Sequence, residues 1–495
     1  YKIGNGFRIN SQFESFNSYA HIDFKINNKS NITFETTFLN YLAQQAGGLS
    51  DKMFYENPFQ SNRERNWFKV NWLLYNLKYN LKLNNYTNLS VNIFGLEASR
   101  NALGFRTNRV DQIDSNEERD LIKGDFSNIG FENRFLKEFK INSLKNILLI
   151  GMKYYKSNSN SEQGPGSSFK DADFSFDYKT FPNYINQSNY NYPNKNFALF
   201  GENIFYVNGD FSITPGFRFE NIKTQSNGFY RKINLDAAGN TIFNEKYDEN
   251  DTKKRSFLLL GIGLNYKLQN NLEVYGNISQ NYRSVTFADI SIVNPAYAIN
   301  PEIDDEKGFT TDIGFRGNLK NKISFDTSMF ALKYEDRIGF IQKVFNGNVK
   351  SERGNVGNAI IYGIETLFDF NLNKIIFNQD GLEFNFFVNY SFIKSEYLES
   401  EEVGIEGKSV EFVPEQNLKS GLKLGYKNFS MNWQTSYLSS QFTDSSNAVD
   451  GNLSGVIGQI PSYTISDLSI SMKLNKFKIE SGINNIFNET YFTRR

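Results

Sequence analysis

Phe257-Leu-Leu-Leu-Gly-Ile-Gly-Leu-Asn-Tyr-Lys-Leu268, the turn Gln269-Asn270-Asn271 and the return Leu272-Glu-Val-Tyr-Gly-Asn-Ile-Ser-Gln-Asn-Tyr282 decide how this chain is read. On the way in, Leu258, Leu260, Ile262, Leu264, Tyr266 and Leu268 take alternate positions, with Gly261, Gly263, Asn265 and Lys267 between them. On the way back Leu272, Val274, Ile278 and Tyr282 alternate with Glu273, Asn277, Ser279 and Asn281. Successive side chains of a strand point to opposite faces, so the stretch predicts a hairpin with one apolar and one polar face.

The same unit recurs along the chain. Ala20, Ile22, Phe24 and Ile26 lead through Asn27-Asn28-Lys29-Ser30 to Ile32, Phe34 and Phe38. Further hairpins are predicted around Asn84-Asn85, Asn142-Ser143, Asn208-Gly209, 318–322, Lys427-Asn428 and Asn475-Lys476, with another pair at 362–393. The total is about 18 strands in nine hairpins, each near the ~10 residues of a tilted membrane strand. Short turns alternate with connections of about 15 to 40 residues, read as loops at Ser99 to Asp125, Ser157 to Lys195 and Asn221 to Arg255. A propeller or sandwich would scatter its long loops over both ends. The expected fold is therefore all-β, a transmembrane antiparallel up-and-down β-barrel occupying residues 1–495.

Composition agrees with that reading once the period is taken into account. Mean hydropathy is −0.51 and apolar residues make up 39%, values that suit a soluble β-protein equally well. In a membrane barrel only every second residue meets lipid, so no long apolar run is needed. The 48 Phe and 28 Tyr suit aromatic girdles. Lys+Arg and Asp+Glu balance at 54 each, which gives no footprint for nucleic acid. Cysteine is absent, which excludes disulfides, thiol catalysis and thiolate metal ligands. Tyr1-Lys2-Ile3-Gly4 is not a signal peptide, so a protein of this class is expected to carry its leader outside the stretch read here.

Several stretches resemble TonB-dependent outer-membrane receptors, and among them the ferric-citrate type. They include Tyr41-Leu-Ala-Gln-Gln-Ala-Gly-Gly-Leu49, Arg65-Asn-Trp-Phe-Lys-Val-Asn-Trp72, Phe94-Gly-Leu-Glu-Ala-Ser-Arg100, Asn281-Tyr-Arg-Ser-Val-Thr-Phe287 and Lys333-Tyr-Glu-Asp-Arg-Ile-Gly339. The most specific is Gly482-Ile-Asn-Asn-Ile-Phe-Asn-Glu-Thr-Tyr-Phe492, which resembles the family's penultimate strand and last outer loop. The resemblance implies a barrel of roughly 22 strands with a plugged lumen. It also implies import of an iron chelate, ferric citrate or another siderophore-like ligand, with energy from a TonB-type partner. Plug, first strands and closing strand are then expected outside residues 1–495. The implied location is the outer membrane of a Gram-negative bacterium, in contact with lipid and lipopolysaccharide, as a monomeric barrel without cofactor. A passive porin, an adhesin and an outer-membrane lipid enzyme are the alternatives.

A ferric chelate with carboxylate ligands is anionic, and arginine binds carboxylates through a planar fork. Arg63, Arg65, Arg100, Arg106 and Arg283 lie in or beside the predicted outer loops and are the candidate ligand contacts. His21, the one histidine, sits mid-strand beside Asp23 and Lys25 and is read as a polar-face residue rather than a catalytic one. Asp304-Asp305-Glu306 and Glu399 to Glu402 lack the spacing of a Ca²⁺ loop and are read as solvated charge. No catalytic or metal site is expected.

Overall fold

A computed structural model describes residues 1–269, 271–290, 297–345 and 347–495. Asn270, in the predicted turn of the opening hairpin, lies outside the described residues. In chain order the elements begin with β1 (Lys2–Gly4), β2 (Phe13–Asn27), β3 (Ser30–Gln44), α1 (Asp51–Glu56), β4 (Trp67–Asn84) and β5 (Thr87–Gly104). β6 (Arg119–Ile141), β7 (Leu144–Gly166), β8 (Ser188–Tyr206), β9 (Phe211–Leu235) and β10 (Thr241–Gln269) follow. Next come β11 (Leu272–Arg283), α2 (Phe287–Ile290), β12 (Tyr297–Ile299), β13 (Glu306–Leu319), β14 (Ile323–Phe345) and β15 (Asn348–Asn371). A π-turn at Asn373–Phe377 leads to β16 (Leu382–Glu399), β17 (Gln416–Tyr426) and β18 (Phe429–Leu438). The last elements are β19 (Gln441–Phe442), β20 (Gln459–Ile460), β21 (Tyr463–Leu474) and β22 (Phe477–Ile483). Four of these strands have two or three residues; the other eighteen are the eighteen predicted.

The chain divides into two compact units. One holds Tyr1–Ile204 and Gly216–Leu260; the other holds Phe205–Pro215, Gly261–Asp289 and Tyr297–Arg495. In the first, β1 to β7 pair antiparallel, each with the next in sequence. In the second, β10, β11, β13 to β18, β21 and β22 pair antiparallel in the same up-and-down manner.

Asparagine makes the tight turns. Asn27 Oδ1 accepts from the Lys29 amide at 2.8 Å, and Asn84 Oδ1 from the Tyr86 amide at 2.9 Å. Asn142 and Ser143 both have positive φ, +47° and +70°, the two-residue geometry that matches strand twist between Ile141 and Leu144.

The predicted faces are present and inside out. Leu258, Leu260, Ile262, Leu264, Tyr266 and Leu268 are all between 41% and 54% exposed, although a soluble protein would bury such a stripe. In the first unit the stripe continues across strands. Phe38 pairs with Leu73, Leu77 with Ile93, and Ile93 with Phe131. A single layer cannot bury a core between its own faces, so burial moves to the connections. In the second unit Ile341, Val356, Ala359, Tyr397, Ile405 and Val410 form one cluster around the outer ends of β14 to β16.

The predicted loops require correction. Asn221 to Arg255, read as a loop, is mostly the continuation of β9 and β10 around a turn whose Gly239 amide bonds Asp236 O at 3.0 Å. Residues 99–104, 119–125, 157–166 and 188–195 are likewise strand. Both faces of these arms lack the apolar alternation, so the period-2 signal vanishes while the backbone ladder continues. Strict alternation of short and long connections therefore fails at 236–240.

Candidate functional site

At the end of the first unit opposite the tight turns, three connections (45–66, 105–118 and 167–187) fold over the strand ends. Arg65, only 1% exposed, holds them together. Its Nε donates to Asp114 Oδ2 at 2.8 Å and its Nη2 to Asp114 Oδ1, while Nη1 donates to Glu117 O at 2.9 Å and Ser168 O at 2.7 Å. Arg119 is fully buried beside it and donates to Ser167 O at 2.8 Å, Ser167 Oγ at 2.8 Å, Asp171 O at 2.7 Å and Arg65 O at 3.1 Å. Arg63 is buried too. It donates to Gln112 O at 2.8 Å and stacks over the Phe105 ring at 5.2 Å. Its aliphatic stem lies where a side chain on Gly47 would stand, and Gly47 has φ +75°, so only glycine fits there. The fork that suits arginine to a carboxylate ligand serves here to tie three connections together. Arg63 and Arg65 thus spend their donors within the protein.

Arg100 is placed differently, while Arg106 is also largely withdrawn from solvent. Arg100, near the end of β5, is exposed, and strand parity sets it on the face opposite Ile93, the polar face. Its guanidinium lies 5.9 Å from the centre of the Phe126 ring. Arg106 follows β5 and interacts electrostatically with Arg100, Asp120 and Tyr184. Burial lowers its pKa against the opposing pull of Asp120 and Tyr184, with the Arg100 charge a smaller contribution, yet an arginine remains a cation. Asp120, at the start of β6, accepts a short hydrogen bond from the Tyr184 hydroxyl, and Gln163 donates to the same hydroxyl at 3.2 Å. Burial raises the Asp120 pKa, opposed by the Tyr184 bond and by Arg106. Burial and then the Asp120 charge push Tyr184 well above the usual phenol range. The site sets Arg100 beside the Phe126 ring and Arg106 beside Asp120, a carboxyl group inclined to keep its proton. Its net charge depends on Asp120.

Arg283 belongs to the second unit and to another network. It contacts Asp289 at 2.6 Å and Glu306 at 3.6 Å, both carboxylates being buried, while its own side chain is 43% exposed. Arg353 meets Asp289 at 3.3 Å. Nearby, Arg337 lies 3.7 Å from buried Glu411, which accepts from the Tyr397 hydroxyl at 2.6 Å. The acidic runs read as solvated charge are therefore structural in part. Glu306 accepts from the Ile338 amide at 2.8 Å, Asp305 from Val285 at 2.8 Å, and Glu402 pairs with Lys343 at 2.9 Å. His21 Nδ1 lies 3.1 Å from Glu35 on the polar face.

Sequence reading missed Arg119, Asp120 and Tyr184. Arg119 and Asp120 sit in Asn116-Glu-Glu-Arg-Asp120, which has the look of an exposed charge run. Tyr184 lies in a connection with no periodic signal at all.

A family model described as TonB dependent receptor-like, beta-barrel, matches residues 5–486. Among solved structures the chain is similar to the unliganded ferric citrate transporter FecA, at 17% identity and TM-score 0.77 over 98% of this chain and 67% of that one. It is similar to the ferric-catecholate import receptor Fiu from E. coli K12, at 13% identity and TM-score 0.71 over 98% of this chain and 72% of that one. The copper transporter OprC also matches, at 13% identity and TM-score 0.72 over 98% of this chain and 69% of that one. At these identities the likeness is one of fold. The chain spans about two thirds of the length of these neighbours.

Proposed function

The chain belongs to the TonB-dependent receptor β-barrel family, and on that premise we propose that it is the wall and outer platform of an outer-membrane importer of an anionic iron chelate. The observation that carries the reading is Arg100, exposed on the polar face beside Phe126, with Arg106 of the following connection coupled to it and to Asp120. Two guanidinium groups can each grip a carboxylate of a citrate-like ligand. The neighbouring receptors named for ferric citrate and ferric catecholate support iron. The copper transporter of the same fold shows that the wall does not dictate the cargo, so the argument for an anionic chelate rests on the arginines. The exposed apolar stripe through Ile262 and Leu264 suits outer-membrane lipid, with lipopolysaccharide around the outer rim. Energy would come from a TonB-type partner acting on a plug within the full protein, which would work as a monomer. Binding and gating, with no covalent step, are the whole of the chemistry.

Arg100 and Arg106 are the proposed cargo contacts. Arg283, half exposed but paired with Asp289 and Glu306, is a separate candidate within the second unit, whereas Arg63 and Arg65 shape the loops that present Arg106. The test is equilibrium binding of ferric citrate to the purified full-length protein. Replacing Arg100 and Arg106 together by alanine is expected to weaken binding by about a hundredfold or more, at roughly 1.5–3 kcal/mol for each charge-assisted contact. Unchanged affinity in R100A/R106A would remove the basis of the proposal.

A further inference from the structure

We infer that the polar face of the first unit carries a second anion site at its turn end, formed by Lys25, Lys29, Lys78, Lys82 and Arg134. Its ligand class is a small polycarboxylate or phosphate anion. The register brings four of them together from three strands, β2, β4 and β6, and Lys29 lies in the turn between β2 and β3. One rung runs Lys25, Asn31, Asn80, Ser90, Arg134 across β2, β3, β4, β5 and β6. The neighbouring rung runs Asp23, Thr33, Lys78, Asn92, and Lys82 stands opposite Asn88 one rung further toward the turns. These side chains share the face opposite Ile22, Phe24 and Ile93. They line an open recess of 720 Å³, with five cations against the single carboxylate of Asp23.

That carboxylate is already occupied. Asp23 Oδ1 accepts from Asn31 at 2.9 Å and from Thr33 at 2.8 Å. Arg134 has Glu132 at 2.7 Å, but among the described residues none of the four lysines takes part in an ion pair. A concave wall of one sign concentrates the opposite ion. The amides of Asn31, Asn80 and Asn88 add neutral donors among the ammonium groups.

The recess is distinct from the arginine pair. Val70, opposite Arg100, and Lys78 are eight residues apart on β4, about 26 Å of strand. Between them, two residues from Lys78 along β4, Asn76 meets Glu35 at 3.1 Å, and His21 meets the same carboxylate at 3.1 Å, so a carboxylate separates the two cationic ends. An anion leaving the outer pair would meet a second cationic station near the turns. That role in import rests on the function proposed above; the existence of the site does not.

The test is calorimetric titration of citrate, and separately of inorganic phosphate, into the purified full-length protein at low ionic strength. Wild type should show two classes of citrate site. K78E/K82E should weaken one class at least tenfold and keep the class that R100A/R106A loses, and K78Q/K82Q should fall between. Raising the salt should weaken both classes. A phosphate isotherm that responds to K78E/K82E as citrate does makes the site a general anion site. The inference is overturned if K78E/K82E leaves the citrate isotherm unchanged. It is equally overturned if wild type lacks the second class while K78E/K82E lowers thermal stability and K78Q/K82Q does not, because the recess would then dock an acidic segment of protein. Failure of the import reading would look different: both citrate classes would persist in a protein that carries no iron into cells.

Discussion

Replacing Arg65 by alanine tests whether the outer connections are held together as described. The guanidinium donates to both oxygens of Asp114 and to the carbonyls of Glu117 and Ser168, and its side chain is 2% exposed against 12% for Asp114. Removing one partner of a buried pair costs about 3–5 kcal/mol, because the other charge is left without compensation. Asp114 keeps a little solvent and its bond from the Asn116 amide at 2.9 Å, which places the cost near the lower figure, about 3 kcal/mol. That corresponds to roughly a hundredfold shift in the opening of the 105–118 and 167–187 connections. Native-state hydrogen exchange reads it as faster exchange of amides in both segments, the Asn116 amide included. The β4–β5–β6 ladder makes no use of the Arg65 side chain, so exchange in the strands should stay as it is. Lysine at this position keeps the charge without the fork and should recover only part of the protection. Equal protection in wild type and R65A would refute the argument.

Three further outcomes follow from the same structure. Asp120 is held above the usual carboxylate range, so lowering the pH through its raised pKa adds a proton beside Arg106 and should tighten anion binding. The sign for stability is the same: this carboxyl group favours the folded state below that pKa and the advantage is lost as pH rises through it. D120N should bind citrate at neutral pH as wild type does at low pH, and a wild-type affinity independent of pH would contradict this. Leu264 lies on the exposed apolar stripe, so L264R should cost about 2–4 kcal/mol in denaturant titrations of the vesicle-inserted protein, whereas K267Q on the other face should cost under about 0.5 kcal/mol. Tyr397→Phe removes the 2.6 Å donor to buried Glu411 and should destabilise the outer cluster by about 1–3 kcal/mol, seen as faster exchange at 400–415 with the β17–β18 ladder unaffected.

Alternation made the strands legible where one face is apolar. Leu258 to Leu268 reads as wall because every second residue is greasy, and all eighteen long strands follow from that one rule. Beyond the apolar band the rule has nothing to act on. Asn221 to Leu235 and Thr241 to Arg255 are strands with polar residues on both faces, held by a backbone ladder that leaves no mark on side-chain order. The site shows the same division. Arginine chemistry singled out residues whose partners differ in the fold. Arg63 and Arg65 turn inward to loop carbonyls, while Arg100 and Arg106 meet Phe126, Asp120 and Tyr184. Tyr184 is 64 residues from Asp120 along the chain, and only the folded connection brings its hydroxyl to that carboxyl group.

Uptake of radioactive ferric citrate by iron-starved cells expressing the full-length gene tests the central claim most directly. The account predicts accumulation that stops when TonB is deleted or the proton gradient collapsed, and that falls by about the same factor as binding in R100A/R106A. Accumulation that continues without TonB, or that is indifferent to both arginines, would contradict it.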